Sequence, residues 1–361
     1  MHIGTVNLKE ESMGHAEAME KLLLWAPPPG WHSITALDAH TAGEPLRIVL
    51  EGFPGLEGDT MLERRRFMKE RHDNLRSAIM WEPRGHREMY GCIITPPVST
   101  GADFGVLFMH NEGYSTMCGH GIIAVATVAV ETGMVPVREP ETVIGIDTPA
   151  GLVTSHARVS GGRVTSVYFH NVPSFVVSLD DSVDIPGLGM IRYDLAFGGA
   201  FYAYVDASQV GLRCTPEEVP QIVEKGMAIK RAVMNARPIP HPFEKDLSFL
   251  YGTIFIAPPI GSGAGSRNVC VFADGEVDRS PTGTGVSGRM AIHFARNEVR
   301  LGERITIESI VGSRFTGRVA EATTFGGLPA VIPEVEGSAH ITGRHRFFLD
   351  PDDPLRSGFI L

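Results

Sequence analysis

Two short runs, C118-G-H-G and T282-G-T-G, stand 164 residues apart in a chain of 361, and each opens an apolar stretch of helical length. The first, C118-G-H-G-I-I-A-V-A-T-V-A-V-E-T-G133, predicts a buried helix ending at Gly133. The second, T282-G-T-G-V-S-G-R-M-A-I-H-F-A-R-N-E-V299, predicts another. Each follows an apolar strand within roughly ten residues. A chain that repeats strand, glycine-rich turn and buried helix at close to half its own length predicts a duplicated architecture. Two β-rich halves would each wrap around one central helix.

The rest of the chain fits that order. Residues 32–50 predict two strands around a turn at Gly43–Pro45, and 89–96, 105–110, 142–148, 151–159, 163–169, 248–257 and 268–273 predict further strands. Residues 61–76 have helical spacing, and 215–233 read as a helix with Thr215 as N-cap and Pro216 at its first position. Residues 10–24 predict a short amphipathic helix broken by Pro27, Pro28, Pro29 and Gly30, so 1–30 is expected to be an appendage. The expected fold class is α/β (α+β), with one lobe formed by 31–194 plus 340–361 and a second by 195–339.

Composition removes several function classes. A net charge of −10 without a basic run argues against nucleic acid and acidic membrane surfaces as partners. The four cysteines, Cys92, Cys118, Cys214 and Cys270, include no C-x-x-C pair, so neither a zinc knuckle nor a redox pair is indicated, and a reduced, cytoplasmic setting is expected. The histidines lack metal spacing such as H-E-x-x-H, so no metal is expected. Gly283, Gly285 and Gly288 spell a dinucleotide-type G-x-G-x-x-G, but Pro281 and a polar stretch interrupt the tight strand–turn–helix that such a site needs.

A glycine-rich helix start exposes unpaired N–H groups at the positive end of the helix dipole and binds anions. Two such starts facing one another would clamp a small carboxylate. Cys118 heads the first, where the dipole is expected to favour thiolate and make it a nucleophile or general base, with His120 beside it. Cys92 and Cys270 lie in apolar strands and are expected to be structural. Cys214 is expected in a loop without a role. His40 is either a turn residue or a supporting group, and His293 a core or surface histidine.

At C118-G-H-G and D278-R-S-P-T-G-T-G the chain resembles the proline racemase family. The resemblance extends to D38-A-H-T-A-G-E-P-L-R, E82-P-R-G-H-R-E-M-Y-G, H110-N-E-G-Y-S-T-M-C-G-H-G and D353-P-L-R-S-G-F, and so covers the chain from about residue 31 onward. It implies a fold like that of diaminopimelate epimerase: two pseudo-symmetric lobes, each a β-barrel-like sheet around a central helix, with the site in the cleft. It implies substrate-carboxylate binding by the amides of Gly119, His120, Gly283 and Thr284, and placement of His120 and Asp278 near the substrate nitrogen. It also implies a homodimer with a complete site in each chain, and no cofactor.

The family's racemases carry a second cysteine where this chain has Thr282. Inversion by two bases needs a proton acceptor on one face and a donor on the other, and an unassisted hydroxyl is a poor base. The Cys118/Thr282 pair resembles the family's trans-3-hydroxy-L-proline dehydratases, which implies dehydration to Δ1-pyrroline-2-carboxylate through an enamine, with Cys118 as α-proton acceptor. Thr282 either hydrogen-bonds substrate or a water, or simply caps its helix. The rival readings are a 4-hydroxyproline epimerase or proline racemase with a water as second base, a catalytically silent amino-acid-binding protein, and the disfavoured nucleotide-dependent oxidoreductase.

Overall fold

The protein is described by a computed structural model covering residues 8–361. An exposed helix, α1 (Leu8–Leu23), precedes the lobes. Of the expected appendage, residues 1–7 lie outside the described residues. Trp25, just after α1, stacks edge-on against Trp31 and Phe348 and ties this segment to the body.

The first lobe runs β1 (His32–Thr41), β2 (Glu44–Glu51), α2 (Met61–Arg71), α3 (Asp73–Met80), β3 (Tyr90–Thr95), β4 (Phe104–His110), β5 (Gly113–Tyr114), α4 (Gly119–Glu131), β6 (Glu141–Thr148), β7 (Gly151–Ser160) and β8 (Arg163–His170). The second runs β9 (Ser174–Ile185), β10 (Gly189–Phe197), β11 (Phe201–Asp206), α5 (Val219–Ala236), β12 (Leu250–Ala257), β13 (Ser266–Phe272), β14 (Glu276–Val277), α6 (Gly283–Ala295), β15 (Arg304–Glu308), β16 (Arg314–Phe325) and β17 (Leu328–Gly337). The last strand, β18 (Ala339–Leu349), returns to pair with β1.

The ladders repeat. In the first lobe β2 pairs parallel with β3 and β4 parallel with β6, with the other neighbours antiparallel. In the second, β11 pairs parallel with β12 and β13 parallel with β15, at equivalent places. The α2–α3 pair and α5 occupy matching crossovers, as do α4 and α6, and a parallel pair requires such a crossover. β17 joins the halves by pairing with β8.

This topology shifts the proposed lobe boundary. β9 stands to β10 as β18 stands to β1, and α6 packs on β9 and β10. The division we propose therefore falls before Ser174, not at 195. The β9–β10 hairpin was hidden by its mixed exposure, which leaves little regular alternation to detect. The single helix expected over 61–76 is two, because His72 leaves helical geometry (φ −136°, ψ 21°) and serves as C-cap of α2 and N-cap of α3. Thr215 is the N-cap of a short 3₁₀ turn that leads into α5, and its amide donates to Glu218 Oε2 at 3.3 Å.

α4 and α6 are the cores of their lobes. Every residue of α4 from Gly119 to Val130 is buried, as is every residue of α6 from Gly283 to Ile292. The two helices meet at their N-termini. A Cβ on Gly119 would lie 2.5 Å from Gly283 Cα, and one on Gly283 would lie 2.6 Å from Gly119 Cα. Gly285 and Gly288 give way to Ile254 and Tyr204 instead, so the G-x-G-x-x-G serves close packing. Among the described residues no helix is long and apolar enough to cross a membrane.

The Gly119–Gly283 contact is backbone against backbone and cannot relax by rotating a side chain. Gly283→Ala is expected to lower unfolding free energy by at least about 2 kcal/mol in urea titration. Gly55→Ala, where a Cβ meets nothing within 4 Å, is expected to change it by less than about 0.5 kcal/mol.

Candidate active site

Where the two helix starts meet, a small cavity of about 20 Å³ lies between the lobes. That is room for about one water. Cys118, Gly119 and His120 line it from the first lobe, and Asp278, Thr282, Gly283 and Thr284 from the second, so all seven residues singled out in the sequence are brought together. Tyr90, Met117, Tyr202, Tyr251, Cys270 and Phe272 complete the wall.

Cys118 is the N-cap of α4, and its sulfur accepts the Gly121 amide at 3.2 Å. The His120 ring lies beside it, with Nδ1 3.1 Å from the sulfur. The amides of Gly119, His120, Gly283 and Thr284 belong to the first turns of α4 and α6, where N–H groups have no intrahelical acceptor. Two sets of such donors converge on one small space, which suits a carboxylate.

The expected thiolate is not the resting state. Burial pushes the Cys118 thiol well above its ordinary value, and the Asp278 and Glu44 carboxylates push the same way against the Gly121 amide. A helix N-terminus favours a thiolate only when solvent or a cation shares the charge, and here desolvation wins. Burial likewise lowers His120, opposed by Asp278, which keeps the ring neutral. Glu44 is pushed well up by burial and then by Asp278. One of its oxygens accepts the Arg279 amide at 2.7 Å and the other has no partner.

Thr282 occupies the equivalent position on α6 with different geometry. Its backbone sits at φ 64°, ψ 97°, against φ −144°, ψ 112° at Cys118. A β-branched residue in that region costs on the order of 1–3 kcal/mol. Its hydroxyl makes no capping bond and is buried without a hydrogen-bond partner. The reading of Thr282 as a side-chain cap is thereby corrected: the positive φ turns the hydroxyl away from the helix amides. Thr284 is held by Tyr202, 2.7 Å between hydroxyls, and the Asp278 carboxylate accepts the Ser280 amide at 2.7 Å.

Cys270, expected to be structural only, lines the cavity beside Thr282. Nearly all of β13 is buried on both faces, so no alternation in the sequence could say which side looks inward. Tyr90, Tyr202 and Tyr251 were missed for the same reason, although Tyr90 lies within the family motif at 82–91. His40 accepts the Gly43 amide in a turn, and His293 contacts Arg289 and Glu298; neither reaches the cavity. Cys92 and Cys214 are buried elsewhere. Among the described residues no group of three His, Cys, Asp or Glu is placed to hold a metal.

The family model described as proline racemase matches residues 36–360. The chain is similar to a trans-3-hydroxy-L-proline dehydratase of Colwellia psychrerythraea, 47% identical over 349 residues that span 96% of this chain and 98% of that one. It is similar to a 3-hydroxyproline 2-epimerase of Burkholderia multivorans, 47% identical over 329 residues, 91% of this chain and 98% of that one. Among solved structures it is similar to a hydroxyproline epimerase from Agrobacterium vitis with bound trans-4-hydroxy-L-proline. That match has a TM-score of 0.87 at 35% identity and covers 92% of this chain and 96% of that one.

All four cysteines are free and buried, and burial raises each of them. A raised thiol is protonated, and so unreactive, until the pH climbs to its folded value. Native protein at pH 7 is expected to release no fast thiol signal with a disulfide reagent, and four equivalents after denaturation. A fast equivalent lost on Cys118→Ser would contradict the protonated resting state.

Proposed function

The chain belongs to the proline racemase family, and on that premise we propose that it dehydrates trans-3-hydroxy-L-proline to Δ1-pyrroline-2-carboxylate and water, a hydro-lyase reaction. The observation that carries this reading is Thr282 at the helix start opposite Cys118. Of the two helix starts one offers a thiol and the other a hydroxyl too weak to act as base, with the Cys270 thiol on β13 rather than at a helix start. The Colwellia relative's name supports the same chemistry.

In the mechanism we propose, the substrate carboxylate takes the amides at the two helix starts, and its ring nitrogen lies near Asp278 and His120. The cationic nitrogen supplies the positive charge that the empty cavity lacks and draws Cys118 towards thiolate. Cys118 removes the α-proton, while the amides stabilise charge developing on the carboxylate. In the trans isomer the 3-hydroxyl and the α-hydrogen share a ring face. The new Cys118 S–H therefore lies on the side of the departing oxygen and protonates it, the C3–O bond breaks, and the thiolate is regenerated. The enamine then tautomerises to the Δ1 imine. The unpartnered Thr282 hydroxyl would hold substrate or a water on the opposite face. The resting Cys118 proton leaves to solvent on substrate binding and is regained on product release, the α-proton departs in the water, and no step calls for a cofactor.

An epimerase is the second reading, favoured by the Burkholderia relative and by the structural likeness to a hydroxyproline epimerase. Proton NMR in D2O with trans-3-hydroxy-L-proline and no added cofactor separates the two. Growth of Δ1-pyrroline-2-carboxylate signals is expected. An inverted α-centre without dehydration would replace the proposal with epimerisation. Cys118→Ser is expected to lower turnover by about 100- to 10,000-fold, and full activity in that variant would remove the proposed base. Thr282→Cys, which restores a second thiol, is expected to introduce α-inversion detectable by chiral chromatography.

A further inference from the structure

The cavity beside Cys118 has room for about one water with which to exchange protons, yet a line of hydroxyls leads from it to the surface. The Tyr90 side chain lines the same small cavity as Cys118. Behind it, Tyr90 Oη is hydrogen-bonded to Ser115 Oγ, and Ser115 Oγ lies 3.1 Å from Tyr251 Oη. Tyr90 and Ser115 are buried, whereas Tyr251 is partly exposed. Tyr251 also lines a second, far larger cavity of about 570 Å³, which His110, Lys69 and Lys230 help to form. At this outer end stands a buried acid that the proposed mechanism does not use. Both Glu276 carboxylate oxygens lack hydrogen-bond partners, and the nearest cation-forming group, His110 Nδ1, is 3.6 Å away. The His110 ring stacks on Tyr90 and meets Tyr251 edge-on.

We propose that Tyr90, Ser115 and Tyr251 form a proton relay between Cys118 and the outer cavity, with Glu276 and His110 as its terminal acceptors. The relay rests on the reading of Cys118 as the proton acceptor. Cys118 S–H passes its proton to Tyr90 oxygen as Tyr90 passes its own to Ser115, Ser115 to Tyr251, and Tyr251 to the Glu276 carboxylate or a water beside it. Each oxygen gains one proton and loses one. The net change is a thiolate at Cys118 and a protonated acceptor outside. The route activates the protonated resting thiol. During turnover it also lets the abstracted α-proton exchange with solvent before the leaving oxygen takes it. Ser115 touches neither the inner cavity nor Cys118, so it is a positioning residue and the informative place to cut.

The experiment is a partial conversion of trans-3-hydroxy-L-proline in D2O by the full chain. Proton NMR reads deuterium entering the α-position of unreacted substrate, divided by dehydration over the same interval. This ratio does not depend on how much enzyme is folded. Wild type is expected to show wash-in, Ser115→Ala at least a tenfold lower ratio, and Ser115→Thr, which keeps the hydroxyl, a restored one. Tyr251→Phe gives the same test if Ser115→Ala does not fold. An unchanged ratio in Ser115→Ala and Tyr251→Phe, or wild type without wash-in, overturns the relay. Full turnover in Cys118→Ser would instead fail the proposed base. Wash-in without dehydration would fail only the proposed reaction, and its loss in Ser115→Ala would still uphold the relay.

Discussion

The approach of Gly119 to Gly283 sets the geometry of everything around it. With a side chain at either position the two buried helices could not meet end to end. Because they do, two sets of unpaired amides converge on one point, and both helix dipoles add there with the same sign. The site is thus a by-product of core packing. The helices that fill the two lobes also supply the anion cradle, and each lobe's sheet fixes its helix without a loop having to fold over the substrate.

Desolvation is the second governing effect, and it acts in opposite directions on neighbouring groups. It raises the Cys118 thiol and the Glu44 carboxyl and lowers the His120 imidazole. In the mechanism proposed above, a zwitterionic substrate would shift that balance, because it carries both charges into a space with room for about one water.

Much of this was legible in the sequence. The repeat of glycine-rich helix starts pointed to the two-lobe architecture, because each opens a stretch of helical length that is buried in the core of its lobe. All seven residues picked from those motifs and from Asp278 line the cavity. The rest was not legible, for physical reasons. Strands buried on both faces, such as β13, carry no period to orient Cys270. The three wall tyrosines come from three separate strands, and only the sheets bring them together. The protonated state of Cys118 depends on how completely the lobes exclude water, which no local pattern encodes. The split at His72 and the β9–β10 hairpin were missed because they depend on tertiary contacts.

A space with room for one water cannot be the conformation that a hydroxyproline first meets. On the proposed function the lobes would part to admit it and come together for the chemistry, so apparent affinity would reflect the balance between an open and a closed population as well as the contacts made. Selection then has two stages. Any small amino acid with a carboxylate can visit the parted helix ends, but only one compact enough for Gly119 and Gly283 to come back into contact around it is held where Cys118 can act. The two glycines thereby gauge the size of the guest without touching the atoms that distinguish one imino acid from another.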